Sequence, residues 1–167
     1  MHLALGRHRY DLRTRALVMA ARVMGALGPP DELVAQGADI LELDGSAGPM
    51  PLPVWVTASD EASVDSALSR GADLVHLPRP TRRSLDLCAA AGVAVVVPPA
   101  AAEEAAAAGL PTERIVVDSV VVDVTGDDCP VAATAVGVIR GARIVRTTDV
   151  RGARRICDVL AAVFEAR

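Results

Sequence analysis

Ionisable residues directly follow several short aliphatic runs of this sequence. Asp118, Arg146 and His76 each come after two or three consecutive residues of the Ile, Leu and Val type. At the end of a buried strand a carboxylate can anchor a polar ligand, a guanidinium can bind an anion, and an imidazole can accept a proton. The alternatives are a turn or N-cap role for Asp118 and a position in the core for His76.

Arg146 has two interpretations. It could bind a small anionic ligand, helped by the N-terminus of a helix that follows, or it could form a salt bridge with Asp149, Asp123 or Glu42. Glu42, Asp44 and Asp123 also fall near strand ends and could hold a cation. No known ligand spacing supports that cation site, so exposed loop carboxylates are favoured. The sequence predicts neither a metal nor a cofactor.

Composition excludes several classes of function. The 167 residues carry a net charge of −4. All 17 lysine and arginine positions are arginine, so the chain contains no lysine, and it also contains no asparagine. A Schiff-base lysine and a P-loop lysine are therefore excluded. Dispersed arginines argue against nucleic acid, and broken apolar runs argue against a membrane span or a signal peptide. Cys88, Cys129 and Cys157 are predicted to be buried thiols of a cytoplasmic protein.

One phrase recurs along the chain and indicates where helices end and strands begin. Gly37-Ala38-Asp39, Gly71-Ala72-Asp73 and Gly141-Ala142-Arg143 each precede an aliphatic run, and a looser copy begins at Gly92. Glycine accepts the left-handed conformation that ends a helix, and continuous aliphatic runs are typical of parallel strands covered on both faces. The predicted strands are 40–43, 54–56, 74–77, 93–97, 115–117 and 144–145.

Helices are predicted between these strands. Their predicted ranges are 59–70, 81–91, 100–108, 130–140 and 151–166. Alternating strands and helices imply βα units and a parallel sheet. No G-x-G-x-x-G turn announces an open dinucleotide-binding sheet. We therefore predict one α/β domain over residues 1–167, a shortened or incomplete (βα) barrel of the TIM type. Residues 120–124 could continue the preceding strand, add an edge strand or replace a missing one.

Four segments, in order, resemble dihydropteroate synthase, the pterin-binding enzyme of folate biosynthesis. They begin at Asp11-Leu12-Arg13, Gly37-Ala38-Asp39, Pro111-Thr112-Glu113 and Gly141-Ala142-Arg143, and cover about half of the chain. A single segment, Gly71 to Leu77, is also similar to a strand of thiamine phosphate synthase. The resemblance to dihydropteroate synthase implies a barrel that dimerises through its last helices.

Most working residues of that family are missing here. Its third strand ends in an aspartate where Thr57 stands, and its fourth strand presents an asparagine where His76 stands. The family's lysine has no counterpart. Asp118 matches the aspartate that anchors the pterin ring, and Arg146 matches the arginine that binds diphosphate. The resemblance therefore implies Asp118 and Arg146 as ligand-binding residues, with His76, Asp149 and Glu42 as further candidates.

We therefore expect a catalytically degenerate, pterin-binding-enzyme-like protein. Removing one group that stabilises developing charge costs about 100- to 1,000-fold in rate, so losing most of a set leaves little activity. One alternative is a non-catalytic homodimeric scaffold or an accessory subunit of an authentic synthase partner. The other is a module that binds a pterin or a phosphate compound through Asp118 and Arg146.

Overall fold

A computed structural model describes residues 2–22, 28–43 and 50–166 of the chain. These residues form ten strands and six α-helices. The strands are β1 (His2–Leu5), β2 (His8–Asp11), β3 (Leu17–Ala20), β4 (Ile40–Glu42), β5 (Val54–Thr57), β6 (Leu74–His76), β7 (Ala94–Val97), β8 (Ile115–Val117), β9 (Val121–Asp123) and β10 (Ile144–Thr147). The helices are α1 (Pro30–Gln36), α2 (Glu61–Ser69), α3 (Arg82–Ala91), α4 (Ala102–Ala107), α5 (Pro130–Ile139) and α6 (Val150–Glu165).

The chain divides into two compact units. Unit 1 comprises Met1–Tyr10 and Leu43–Ser119, and unit 2 comprises Asp11–Glu42 and Val120–Arg167. The prediction of a single domain is not tested by this division and stays a prediction. Each unit contains four parallel strands of the βα type, so the expected parallel α/β architecture is present in both.

In unit 1 the parallel strands lie in the order β5-β6-β7-β8. Side chains of a strand alternate between the two faces of the sheet. One face carries Val54, Val56 and Val75, which pack with α2, α3 and α4 in a core of buried aliphatic residues. The opposite face therefore carries Trp55 and Thr57. His76 stands directly opposite Thr57 in the register of β5 and β6.

In unit 2 the parallel strands lie in the order β4-β3-β10-β9. The register places Arg146 of β10 opposite Met19 of β3 on one side and opposite Asp123 of β9 on the other. Helix α6 packs against α5, α1, β3 and β10. The carboxyl ends of four strands thus meet at one edge of this sheet, where Arg146 lies.

The repeated glycine phrase forms the same local structure each time. Gly37, Gly71, Gly92 and Gly141 all have positive φ, between 67° and 110°. The next residue donates its backbone N–H back to the preceding helix; Ala38, for example, donates to the Leu33 carbonyl at 3.0 Å. This is the helix-ending geometry that glycine favours. The repeat therefore marks the point where each helix turns into the next strand.

The aspartates of the repeat support the sheet. Asp39 accepts the backbone N–H of Val18 at 2.9 Å, and Asp73 accepts that of Val54 at 3.0 Å. Each carboxylate thus satisfies the backbone of the neighbouring strand. Asp39 is also paired with two arginines, Arg15 and Arg154, both at 2.9 Å.

Several sequence predictions are confirmed, and others need correction. The predicted strands and helices recur with ends shifted by at most two residues, except that 100–108 is divided between a 3-10 turn and α4. Residues 120–124 hold a separate strand, β9, which a 3-10 turn, Asp118–Val120, separates from β8. That turn stands where a helix would follow in a full βα unit. The hairpin strands β1 and β2 and helix α1 were not predicted, because they lack a long periodic apolar pattern. Strand β3 was not among the strands predicted from the residues either, and only the resemblance of the segment that begins at Asp11 implied a strand there.

The prediction of three buried thiols is wrong for Cys129. Cys88 and Cys157 are buried, whereas Cys129 is exposed. Cys129 directly precedes Pro130, the first residue of α5, and follows the charged pair Asp127-Asp128. Cys129 is therefore a surface residue at the start of α5 and is not part of the core.

Candidate functional site

Arg146 is the centre of a charged cluster at the carboxyl ends of the unit 2 strands. Its Nε and Nη2 donate to both carboxylate oxygens of Glu42 at 2.8–3.1 Å. Its Nη1 donates to Asp123 Oδ2 at 2.7 Å and to the Thr125 hydroxyl at 3.3 Å. The two-bond fork to Glu42 is the strongest common geometry for an arginine–carboxylate pair.

The partners of Arg146 are themselves held in place. Glu42 accepts the backbone N–H of Arg22 at 3.1 Å, and its side chain is only 15% exposed. Asp123 accepts both the backbone N–H and the hydroxyl of Thr125, at 3.0 and 2.8 Å. Each group of the cluster therefore has several bonds that fix its position. Because it holds two carboxylates and one guanidinium, the cluster is negatively charged.

The pKa values of the cluster follow from these contacts. Burial alone opposes ionisation of Asp123, but the Thr125 hydrogen bonds and the charge of Arg146 outweigh it and hold the Asp123 pKa below its ordinary value. Burial likewise opposes the charge on Arg146, yet Glu42 and Asp123 raise the Arg146 pKa above its ordinary value. Arg146 and Asp123 are therefore both ionised at neutral pH.

Asp149 is not a partner of Arg146 in this structure but caps helix α6. Its carboxylate accepts the backbone N–H of Gly152 at 2.9 Å, and its own N–H donates to the buried Thr147 hydroxyl at 3.0 Å. An aspartate at this position satisfies a helix N-terminus that could otherwise attract an anion. Both positive features at this edge, Arg146 and the start of α6, are thus matched by carboxylates of the chain itself.

Asp118 and His76 belong to unit 1. Asp118 is half-buried in the 3-10 turn that follows β8, and within its unit no described side chain forms a hydrogen bond with it. A position in a turn agrees with the alternative that the sequence analysis left open for Asp118, a turn or N-cap role. His76 is also half-buried, at the end of β6 beside Thr57 and Trp55. The structure thus brings together Glu42 and Arg146 in unit 2, while Asp118 and His76 end two different strands of unit 1.

The cation site suggested by Glu42, Asp44 and Asp123 gains no support. Residues 44–49, which include Asp44, lie outside the described residues. Among the residues described, no group of three His, Cys, Asp or Glu side chains is placed to hold a metal ion. Glu42 and Asp123 instead share Arg146. The expectation of exposed loop carboxylates is wrong for Glu42, because its side chain is only 15% exposed and it is the last residue of strand β4. None of the helices in the described residues has the length and hydrophobicity that a membrane-spanning segment needs.

Sequence reasoning missed Thr125, Thr57 and Trp55. The spacing of Asp123-Val124-Thr125 is a detectable signal, because an aspartate commonly accepts the backbone N–H two residues later. Alternation along β5 indicates that Trp55 and Thr57 share a face. Their position opposite His76 depends on which strands pair, and nothing local in the sequence shows that.

Comparison with known proteins shows the fold. No protein-family model matches the sequence, and no curated protein matches it at a significant level. Solved structures do match over the whole chain. The dihydropteroate synthase of Yersinia pestis, solved with a pterine-sulfa conjugate, has a TM-score of 0.79 at 15% identity, with 100% of each chain covered.

Two further dihydropteroate synthase structures match the chain equally well. The enzyme from Thermus thermophilus, in complex with 4-aminobenzoate, has a TM-score of 0.77 at 22% identity, covering 98% of this chain and 100% of that one. The enzyme from Vibrio fischeri has a TM-score of 0.78 at 13% identity, covering 100% and 99%. The chain therefore has the fold of dihydropteroate synthases, and the predicted α/β barrel class is confirmed. At this level of identity the likeness concerns the fold alone.

Proposed function

We propose that this chain is a divergent relative of dihydropteroate synthase, with a role connected to folate biosynthesis, that does not run the synthase reaction. The observation that carries the proposal is the state of Arg146. Its guanidinium is shared between Glu42 and Asp123, with contacts of 2.7–3.1 Å to both carboxylates. Arg146 is the residue that the resemblance implies for diphosphate binding, and its charge is already matched.

An incoming diphosphate would meet an unfavourable site. It would have to displace the Glu42 fork and the Asp123 contact, or bind beside two negative charges. Displacing Glu42 leaves a largely buried carboxylate without its cation, which typically costs several kcal/mol. The absence of any lysine in the chain removes the usual alternative for neutralising a departing phosphate group.

Turnover tests the proposal directly. The chain is incubated with the pterin diphosphate and 4-aminobenzoate, beside an authentic synthase under the same conditions. We expect the chain to form product at least about 1,000-fold more slowly, since several charge-stabilising groups are missing. Turnover within about tenfold of the authentic enzyme would contradict the proposal.

A binding measurement separates the related candidate, a pterin or phosphate-compound module. The half-buried Asp118 carboxylate at the end of β8 favours retention of a pterin contact. Calorimetry with a pterin that lacks the diphosphate tests that contact, and Asp118→Asn is the matched variant. Heat that is lost in this variant supports a binding module, and no heat with the native chain argues against it.

A second candidate function is assembly with another protein chain, and the surface of helices α5 and α6 supports it. Helix α5 contains no charged residue, and its one hydroxyl side chain, Thr134, is buried. Ile139 of α5 and Val159 of α6 are each more than 60% exposed, and these two helices pack against each other. Exposed aliphatic side chains also include Val131 and Val136 of α5 and Val163 of α6, and so many on two neighbouring helices favour a protein–protein interface. We therefore propose a homodimer through α5 and α6, with an authentic synthase as the alternative partner.

A further inference from the structure

An open cavity of about 290 Å³ lies at the amino ends of the unit 1 strands, and the proposed function uses none of its lining. Pro53 directly precedes β5, and Asp73 directly precedes β6. The cavity therefore lies at the opposite end of these two strands from Thr57 and His76. Its lining belongs entirely to unit 1 and comprises Arg7, His8, Met50, Leu52, Pro53 and Asp73.

The charged part of the lining is held in place by the packing of the chain. Arg7 lies in the turn between β1 and β2, and the buried side chains of β1 anchor this hairpin. The turn lies directly against Asp73, since a Cβ atom at Gly6 would collide with the Asp73 Oδ1. The other oxygen of Asp73 accepts the Val54 backbone N–H at 3.0 Å, which fixes the carboxylate. A group held by packed strands keeps its geometry better than one on a free loop.

The lining combines an apolar wall with one charge of each sign. The apolar wall consists of Met50, Leu52 and Pro53, which are buried or half-buried. The Arg7 side chain is exposed, and Asp73 is half-buried. A ligand with only an anionic group would be repelled by Asp73, and one with only a cationic group would be repelled by Arg7. A small zwitterion with an apolar part matches both charges and the wall.

We propose that this cavity binds a free α-amino acid with an apolar side chain. Arg7 pairs with the carboxylate of the ligand and Asp73 with its ammonium group, as charge-assisted hydrogen bonds. The apolar wall contacts the side chain of the ligand. The volume is slightly below the range of about 300–1,000 Å³ that is usual for larger ligands, which suits so small a molecule. The inference rests on unit 1 alone and does not depend on the proposed function.

Titration of the full chain with leucine and with phenylalanine tests the proposal. The NMR methyl signal of Met50, recorded with ¹³C-labelled methionine, reports occupancy, and Met50→Leu identifies it among the signals of four methionines. We expect a saturable shift with at least one of the two amino acids. Its N-acetyl derivative lacks the ammonium group and its amide lacks the carboxylate, so each should bind about tenfold more weakly. No saturable shift with either amino acid, or equal affinity for the derivatives, would overturn the inference.

Two substitutions test the part played by each charge. Arg7→Gln and Asp73→Asn should each weaken binding of the free amino acid about tenfold. Asparagine keeps an oxygen that can accept the Val54 N–H, so the start of β5 should stay intact. Arg9→Gln is the matched control, because Arg9 is an exposed arginine of the same hairpin that is not part of the lining.

The control should bind the amino acid as the native chain does. Equal weakening by Arg7→Gln and Arg9→Gln would show a general effect of charge and contradict the proposal. Thermal unfolding checks that each variant is folded. Arg7 is exposed, so Arg7→Gln decides the test should Asp73→Asn disturb the fold.

Discussion

At the carboxyl end of β10, the Arg146 side chain is 25% exposed and depends on Glu42 for most of its hydrogen bonds. We expect Glu42→Gln to lower the free energy of unfolding by about 1–3 kcal/mol, because a partly buried guanidinium loses its charged partner. Chemical denaturation measures this. Asp86→Asn is the matched control, since the Asp86–Arg82 pair lies on the surface. Its effect should stay below about 1 kcal/mol, and equal effects would contradict the prediction.

Asp123 should titrate unusually low. Its carboxyl pKa lies below the ordinary value because Thr125 and Arg146 favour the charged form more than burial opposes it. A depressed pKa in the folded state contributes stability above the unfolded pKa of about 3.9, and that stability is lost as pH falls below it. Carboxyl NMR should show Asp123 titrating below about pH 3.9. Arg146→Gln should raise this pKa, and an unchanged value would show that the guanidinium does not act on Asp123.

The three cysteines should differ sharply in reactivity. Burial raises the pKa of the Cys88 thiol to about 11 and also raises that of Cys157 to about 11. At about pH 8 their thiolate fraction is therefore about one in a thousand, and neither side chain is accessible. Cys129 is exposed. A thiol reagent should modify one cysteine rapidly in the native chain and none in Cys129→Ser, whereas rapid loss of two or three thiols would contradict the burial.

At the scale of elements, the repeated Gly-Ala-Asp phrase shows how much a short pattern can determine. It predicts where a helix ends and a strand begins, because only glycine adopts the left-handed conformation there without strain. It does not reveal that Asp39 and Asp73 have different bonding partners and so contribute differently to stability. Asp39 pairs with Arg154, whose side chain is 11% exposed, while Asp73 supports mainly the backbone N–H of Val54.

We therefore expect Asp39→Ala to destabilise the chain more than Asp73→Ala. The first change leaves the buried Arg154 guanidinium with Asp158 as its one remaining carboxylate partner among the described residues, and it should cost about 2–4 kcal/mol. The second leaves a backbone N–H unpaired and should cost about 1–2 kcal/mol. Thermal and denaturant unfolding of both variants measure the difference. A reversed order would mean that the Arg154 network contributes little.

At the scale of the whole molecule, the exposed apolar side chains of α5 and α6 predict that two copies of the chain associate. We expect sedimentation to show a dimer at micromolar concentration. Ile139→Asp combined with Val159→Asp should produce a monomer, because two charges would be buried in the contact. Ala90→Asp adds one aspartate to α3 in unit 1, away from the proposed contact, and should leave the dimer intact. A native monomer would contradict the homodimer and leave a different synthase subunit to be tested by co-sedimentation.

The sequence by itself determined most of the elements and the class of fold. These elements depend on interactions between residues that are close in the sequence. Examples are the aliphatic runs, the glycine repeat and the helix starts at Asp60, Thr81 and Pro130. Local sequence records such interactions directly. The exceptions are β1, β2, β3 and α1. All four are short elements, and short elements depend on packing for their stability.

Only the tertiary structure decided what the polar residues do. Glu42 and Arg146 are separated by 104 positions, and their pairing depends on β4 and β10 both lying beside β3. Thr57 meets His76 for the same kind of reason, through the pairing of β5 with β6. Strand order brings distant residues together through the packing of the whole chain, and no local pattern encodes it. Chemistry at strand ends can therefore be located in the sequence, and Glu42 and Asp123 could be named there among three candidate partners of Arg146. Which of the three candidates pair with Arg146 is decided by the strand order.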